Sequence, residues 1–160
     1  MNDRAAHLIE ALDLRPHPEG GHYREVYRSP DRVTAGSRGE RPAVTTIYFL
    51  LTAGEYSRWH VVRSDEIWHY YEGDPLELLM LDPVTLEHRR MTLGSFDDGR
   101  EPVHVVPAGQ WQAARTSEGY TLVGCSVGPG FEFADFQLMR EEPKTERRVR
   151  QAHPDLASML

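Results

Sequence analysis

Between residues 22 and 139, clusters of Gly, Pro and Asp cut the chain into short β-type runs, and none of the segments between them carries helical periodicity. The runs span 22–29, 45–52, 57–62, 66–72, 76–82, 86–93, 103–107, 110–117, 120–127 and 133–139. Strands joined by short loops pair antiparallel, because a parallel pair needs a long crossover. The pattern therefore predicts an all-β fold, a sandwich or a barrel. Upstream, Ala5, Leu8, Ile9 and Leu12 recur at helical spacing, Asn2 or Asp3 supplies a cap, and Pro16 ends the pattern. A short N-terminal helix is expected there. Residues 30–42 read as a surface loop and 141–150 as a solvated charged segment. The tail 153–160 reads as one or two helical turns, either packed on the barrel or disordered.

The chain has 160 residues, about one domain, so residues 1–160 are read as a single unit with a barrel core at about 20–140. A formal net charge of -7 argues against a nucleic-acid surface, which relies on clustered Lys and Arg. Cys125 is the sole cysteine, which excludes an intrachain disulfide and a multi-cysteine zinc site. Its apolar neighbours predict a buried, inert thiol. The first residues lack a signal-peptide pattern and no apolar stretch approaches the roughly 20 residues of a membrane span. The expected location is cytoplasmic, with no membrane partner.

The stretch from Gly54 to Gly73 carries the most chemistry. Its residues place His60, Val62 and Glu66 at fixed intervals. Side chains alternate along a strand, so His60 and Val62 share a face, and a turn through Arg63 to Asp65 returns Glu66 opposite them. The same alternation turns Trp68 and Tyr70 inward and sends Ile67, His69 and Tyr71 outward. A second stretch, Pro107 to Gln112, holds a P-x-G turn. A third begins at Pro18, where Glu19, Gly20 and Gly21 precede a strand on which Tyr23, Glu25 and Tyr27 alternate onto one face, suited to stacking and hydrogen bonding or simply to a half-exposed edge. Glu132 or Asp135 can reach the mouth from the last run. His7, His17, His22, His88, His104 and His153 have no paired spacing and read as ordinary histidines.

These segments resemble cupins. Gly54, His60, Glu66 and Gly73 fit the first cupin motif, G-x5-H-x-H-x3-E-x6-G, with Val62 in place of the second histidine. Pro107, Gly109 and Gln112 are similar to the second motif, P-x-G-x2-H, with Gln112 in place of its histidine. Together with the segments beginning at Pro18 and Pro129, they resemble a bacterial and fungal cupin branch catalogued as a domain of unknown function. That branch is similar in fold to the dTDP-4-dehydrorhamnose 3,5-epimerases, metal-free dimeric cupins with a histidine base. The resemblance implies a jelly-roll barrel, the double-stranded β-helix, and a metal-independent sugar isomerase or epimerase. In this reading His60 is the base, Glu66 orients it, and Tyr70, Tyr48 or Gln112 donates to the oxyanion. Tyr23, Glu25, Tyr48, Trp68 and Gln112 contact a small ligand, a sugar or nucleotide sugar.

No cofactor is expected. Metal-holding cupins imply four ligands that here become His60, Val62, Glu66 and Gln112, so a divalent metal would rest on His60, Glu66 and Gln112 alone. Two alternatives stay open: a non-catalytic module binding a small ligand, and a metal-dependent oxygenase or lyase. The outer row of Ile67, His69 and Tyr71 predicts a homodimer.

Overall fold

In the computed structural model, which describes residues 3–160, two antiparallel sheets face each other. The elements in chain order are α1 (Asp3–Ala11), β1 (Arg15–Pro16), β2 (His22–Arg28), β3 (Arg32–Thr34), β4 (Glu40–Pro42), β5 (Thr45–Thr52) and β6 (Tyr56–Val62). Then come β7 (Asp65–Gly73), β8 (Leu76–Leu81), β9 (His88–Leu93), β10 (Val103–Val106), β11 (Trp111–Thr116), β12 (Tyr120–Gly128), β13 (Phe136–Leu138) and α2 (Pro143–Ala152). One sheet has the order β1-β2-β5-β12-β7-β10, the other β13-β6-β11-β8-β9, and β3 with β4 forms a separate hairpin. The all-β jelly-roll expected from the sequence is the fold observed.

Two-residue alternation builds the layers. On β5, Phe49 and Leu51 turn into the space between the sheets, while Leu50 turns out against Ala5 and Leu8 of α1. On β8, Leu76 and Leu78 turn inward, whereas Leu79 and Leu81 turn outward. That outer apolar face is covered by Val149 of α2 and by Leu156 and Met159 of the 3-10 segment Pro154–Met159. Trp59 fixes the cover by donating its indole N–H to the Leu156 carbonyl at 3.1 Å.

Several expectations are changed or settled here. The segment 141–150 is not a solvated run, since α2 buries Val149 completely; charged side chains dominate its composition but not its inner face. The tail is packed. The loop 30–42 contains the β3–β4 hairpin, and the run 133–139 holds only a three-residue strand after a 3-10 turn, Phe133–Asp135. Helix α1 runs to Ala11, and Asn2, the alternative cap, lies outside the described residues.

Gly73 shows why the motif ends in glycine. Its φ is 102°, and a Cβ there would lie 2.3 Å from the Tyr120 carbonyl oxygen, so only glycine lets β7 close against β12. Among the described residues no helix is long and apolar enough to cross a membrane.

Candidate active site

The hairpin turn at residues 63–64 carries the chain from one sheet to the other. It places His60 of β6 and Glu66 of β7 in the walls of one cavity of about 300 Å³. Val62, one strand pair beyond His60, lines the same cavity. Both polar groups are almost wholly removed from solvent, His60 at 2% exposure and Glu66 at 7%.

The third wall comes from the turn before β2. Gly20 has φ 111° and a Cβ there would sit 2.1 Å from the Tyr56 carbonyl oxygen, so the turn presses directly onto β6. The backbone N–H of Arg58 donates to the Glu19 carbonyl at 2.9 Å. This contact drives the Glu19 side chain inward, where Oε1 accepts from Ser57 Oγ at 2.7 Å and Oε2 lies 3.4 Å from His60 Nε2. His17 enters beside it, with Nδ1 also 3.4 Å from Glu19 Oε2.

Hydrogen bonding fixes both imidazoles. His60 Nδ1 lies 2.7 Å from the Arg58 carbonyl, which can only accept, so Nδ1 carries the proton and Nε2 presents a lone pair to the cavity. His17 Nδ1 accepts the backbone N–H of Glu19 at 3.3 Å, which leaves the proton of the neutral ring on Nε2. Burial lowers the His17 pKa to about 3, assisted by nearby His60, and burial likewise lowers that of His60. Both rings are neutral at neutral pH.

The carboxyls shift the other way. Burial raises Glu19 to about 8, with the Ser57 hydrogen bond opposing. Burial raises Glu66 to about 7, with His60 opposing, Glu19 reinforcing, and hydrogen bonds from Gln112 and Cys125 opposing. Near neutrality Glu19 is a carboxylic acid and Glu66 is divided between its two forms.

Gln112 and Trp68 support the floor. The Trp68 indole N–H donates to Gln112 Oε1 at 3.0 Å, and Gln112 Nε2 donates to Glu66 Oε2 at 2.5 Å. Neither is among the residues that line the cavity; they orient Glu66 from below. Cys125 does line it, and its thiol is held well above its ordinary pKa by burial, then by Glu66 and Glu19. The inert thiol expected from the sequence is consistent with this.

Other sequence-derived candidates separate. Tyr23 and Glu25 line the cavity, but a β-bulge between Glu25 and Tyr27 removes Tyr27 from that face, leaving it 51% exposed. Tyr48 is not in the site. It alternates with Phe49 onto the outer face, 6.0 Å from the Tyr71 ring. Tyr70 is also outside it: four residues along β7 from Glu66 is about 13 Å of strand, and its hydroxyl donates to the Gly73 carbonyl. Glu132 lines the mouth, whereas Asp135 is buried beside it, paired with Arg38 and Arg41 at 2.9 and 2.8 Å.

His17 and Glu19 are the residues that sequence reasoning missed. The available signal was the pair Gly20-Gly21, which announces a close backbone approach and so an inward neighbour.

The metal set implied by metal-holding cupins does not fit this site. Val62 offers hydrocarbon, and the Gln112 amide oxygen is turned to Trp68. Among the described residues no group of three or more His, Cys, Asp or Glu is disposed to hold an ion.

The profile of the Cupin superfamily (DUF985) matches residues 6–139. The chain belongs to this cupin family. Two solved structures are similar over nearly the whole of it. A hypothetical protein from Leishmania major is 34% identical with a TM-score of 0.82, covering 97% of this chain and 95% of that one. A Shewanella oneidensis protein is also 34% identical, with a TM-score of 0.80 and coverage of 96% and 92%. A Bacillus subtilis oxalate decarboxylase mutant shares the cupin fold at 14% identity and a TM-score of 0.59, covering 86% of this chain and 33% of that one. No curated protein matches this cupin.

Proposed function

We propose that the cavity is the active site of a metal-independent isomerase or epimerase acting on a small polar carbonyl compound. The observation that carries this reading is a pair of buried carboxyls, Glu66 and Glu19, lining one cavity with His60, whose Nε2 lies 3.4 Å from Glu19 Oε2. Shifting a proton next to a carbonyl needs a base that is unprotonated near neutrality and a donor for the developing oxyanion. Glu66, with a pKa of about 7, is matched to the first task. Glu19, protonated up to about 8, is matched to the second, as a neutral carboxylic acid in a dry site.

The carboxylate of Glu66 takes the proton from the α carbon, and the C–H electron pair passes into the enolate. Glu19 O–H donates to the enolate oxygen. Return of the proton from Glu66 to the opposite face of that carbon, after the enolate turns in the cavity, completes epimerisation; return to the neighbouring carbon, with the adjacent hydroxyl proton passing to the former carbonyl oxygen, completes isomerisation. The sequence expectation placed the base on His60, but burial disfavours its charged form. Before substrate arrives the Glu19 proton points to the His60 lone pair, and it turns to the enolate oxygen once substrate is bound, while Gln112 orients Glu66.

At about 300 Å³ the cavity is at the small end for ligand sites, which favours a substrate no larger than a single sugar unit. A buried lone cysteine supports a cytoplasmic setting. The test is solvent exchange: protein treated with EDTA is incubated in D₂O with a panel of small aldoses, ketoses and keto compounds, and α-proton signals are followed by NMR. Exchange that falls at least about 100-fold in Glu66→Gln, with the fold intact, supports the reading. Exchange that requires an added metal, or is indifferent to Glu66→Gln, overturns it.

A further inference from the structure

Among the described residues the mouth of the cavity has one cation, Arg28, and all three of its guanidinium nitrogens are engaged. Its Nε and Nη2 grip both oxygens of Glu25 at 2.9 and 2.8 Å, its Nη1 meets Glu132 at 2.9 Å, and Nη2 also reaches the Phe131 carbonyl at 3.0 Å. Four of the five guanidinium N–H groups are thus engaged. Farther along the chain, Arg38 and Arg41 are spent on Asp135. Both cavity histidines are neutral, and His60 presents an acceptor.

Against that single paired cation stand four lining carboxyls, Glu19, Glu25, Glu66 and Glu132. An incoming phosphate or carboxylate finds no free positive group, and it would lose its hydration beside like charge. The aromatic rim adds a separate, independent sign. Phe131, Phe133 and Phe136 pack edge to face with centroids 5.1 to 6.1 Å apart, and Phe133 is 54% exposed at the opening. Aromatic faces carry negative charge density that attracts cations.

We infer that the site selects a small organic cation, an amine-bearing polyol or carbonyl compound, and rejects phosphorylated and carboxylated substrates, nucleotide sugars included. The inference rests on the reading of the cavity as a ligand site. The ammonium group would sit against Glu66, and its arrival would supply the positive partner that the buried Glu66 carboxylate lacks.

The experiment uses one six-carbon sugar frame in three charge forms: the 2-amino sugar, the neutral parent and the 6-phosphate. Each is titrated into the purified chain while His17 and His60 ring resonances are followed by NMR, with ethylammonium and inorganic phosphate as frame-free probes. The expected result is that the ammonium forms bind at least ten-fold more tightly than the neutral parent, with no site response to phosphate. Glu66→Gln should remove that preference. Because Glu66→Gln disturbs Gln112, the double variant Glu25→Gln with Glu132→Gln provides a second test: freeing Arg28 should create phosphate binding that the parent protein lacks. Equal or tighter binding of the phosphate forms by the unaltered protein, or of the neutral sugar, overturns the charge preference and leaves the ligand site standing. Failure of every probe to move the ring resonances overturns the cavity reading itself.

Discussion

His60 Nε2 and Glu19 Oε2 lie 3.4 Å apart in a pocket from which water is almost excluded, and each is fixed from behind, His60 by the Arg58 carbonyl and Glu19 by Ser57. One group is a base that burial keeps unprotonated, the other an acid that burial keeps protonated. Glu19 thus holds at neutral pH a proton that the same side chain gives up in water. This ties the chemistry of the site to the stability of the fold.

The first prediction is the shape of stability against pH. The folded pKa values of Glu19 and Glu66, about 8 and 7, exceed their ordinary 4.5, so their contribution is fully present below 4.5 and is lost as pH rises through 7 and 8. His17, at about 3 against an ordinary 6.5, contributes stability above 6.5 that is lost as pH falls, and His60 acts in the same sense. Between 4.5 and 6.5 the histidines oppose the glutamates, and the fall is reduced. Above 6.5 the glutamates act alone, and urea denaturation should show a fall of about 2–3 kcal/mol by pH 8. A rise over that interval would contradict the site as described.

Asp135 ties the β3–β4 hairpin to the aromatic rim. It accepts from Arg38 at 2.9 Å and from Arg41 at 2.8 and 3.1 Å, beside the Phe133 and Phe136 that line the mouth. Asp135→Ala leaves two arginines facing a half-buried void and should cost about 3 kcal/mol, with faster proteolysis in residues 30–42. A loss below about 0.5 kcal/mol would show that the cluster is an exposed pairing of little weight.

The outer face of the six-stranded sheet carries an uncovered apolar strip. Val103 and Val105 of edge strand β10, 44% and 49% exposed, pair with His69 and Ile67 of β7, next to half-exposed Tyr71. A homodimer through this face predicts light scattering at twice the chain mass of 18.3 kDa and a shift to monomer in Val105→Asp. A monomer at micromolar concentration in the unaltered protein would refute it.

Most of the framework was legible in the sequence because strand alternation and turn residues are local signals. The runs 45–52 and 120–127 fall on β5 and β12 almost residue for residue. His60 and Glu66 were found because two fixed intervals on one hairpin place them. Tyr27, Tyr48 and Tyr70 were misplaced because alternation alone does not reveal a bulge, say which face is inner, or measure distance along a strand. His17 and Glu19 stayed hidden because they reach the cavity through a turn whose path is set by Tyr56 and Arg58, far away in sequence.

Metal content follows from the donor set. With Val62 and a Gln112 amide turned away from the cavity, dialysis against Zn²⁺, Mn²⁺ or Fe²⁺ should leave well under one equivalent bound. Restoring donors in Val62→His with Gln112→His should create measurable zinc binding. Stoichiometric, chelator-sensitive metal in the unaltered protein would reverse this account.

The most direct test is titration of the two carboxyls themselves, by NMR of protein labelled with ¹³C at the glutamate side-chain carboxyl carbon and assigned with Glu19→Gln and Glu66→Gln. The account predicts midpoints near 7 for Glu66 and near 8 for Glu19, with the His17 ring remaining neutral down to pH 5 and the His60 midpoint lowered from its ordinary value. Carboxyl midpoints below 5 with a charged His60 would contradict it, because Glu19 would then hold no proton to donate and Glu66 would be too weak a base.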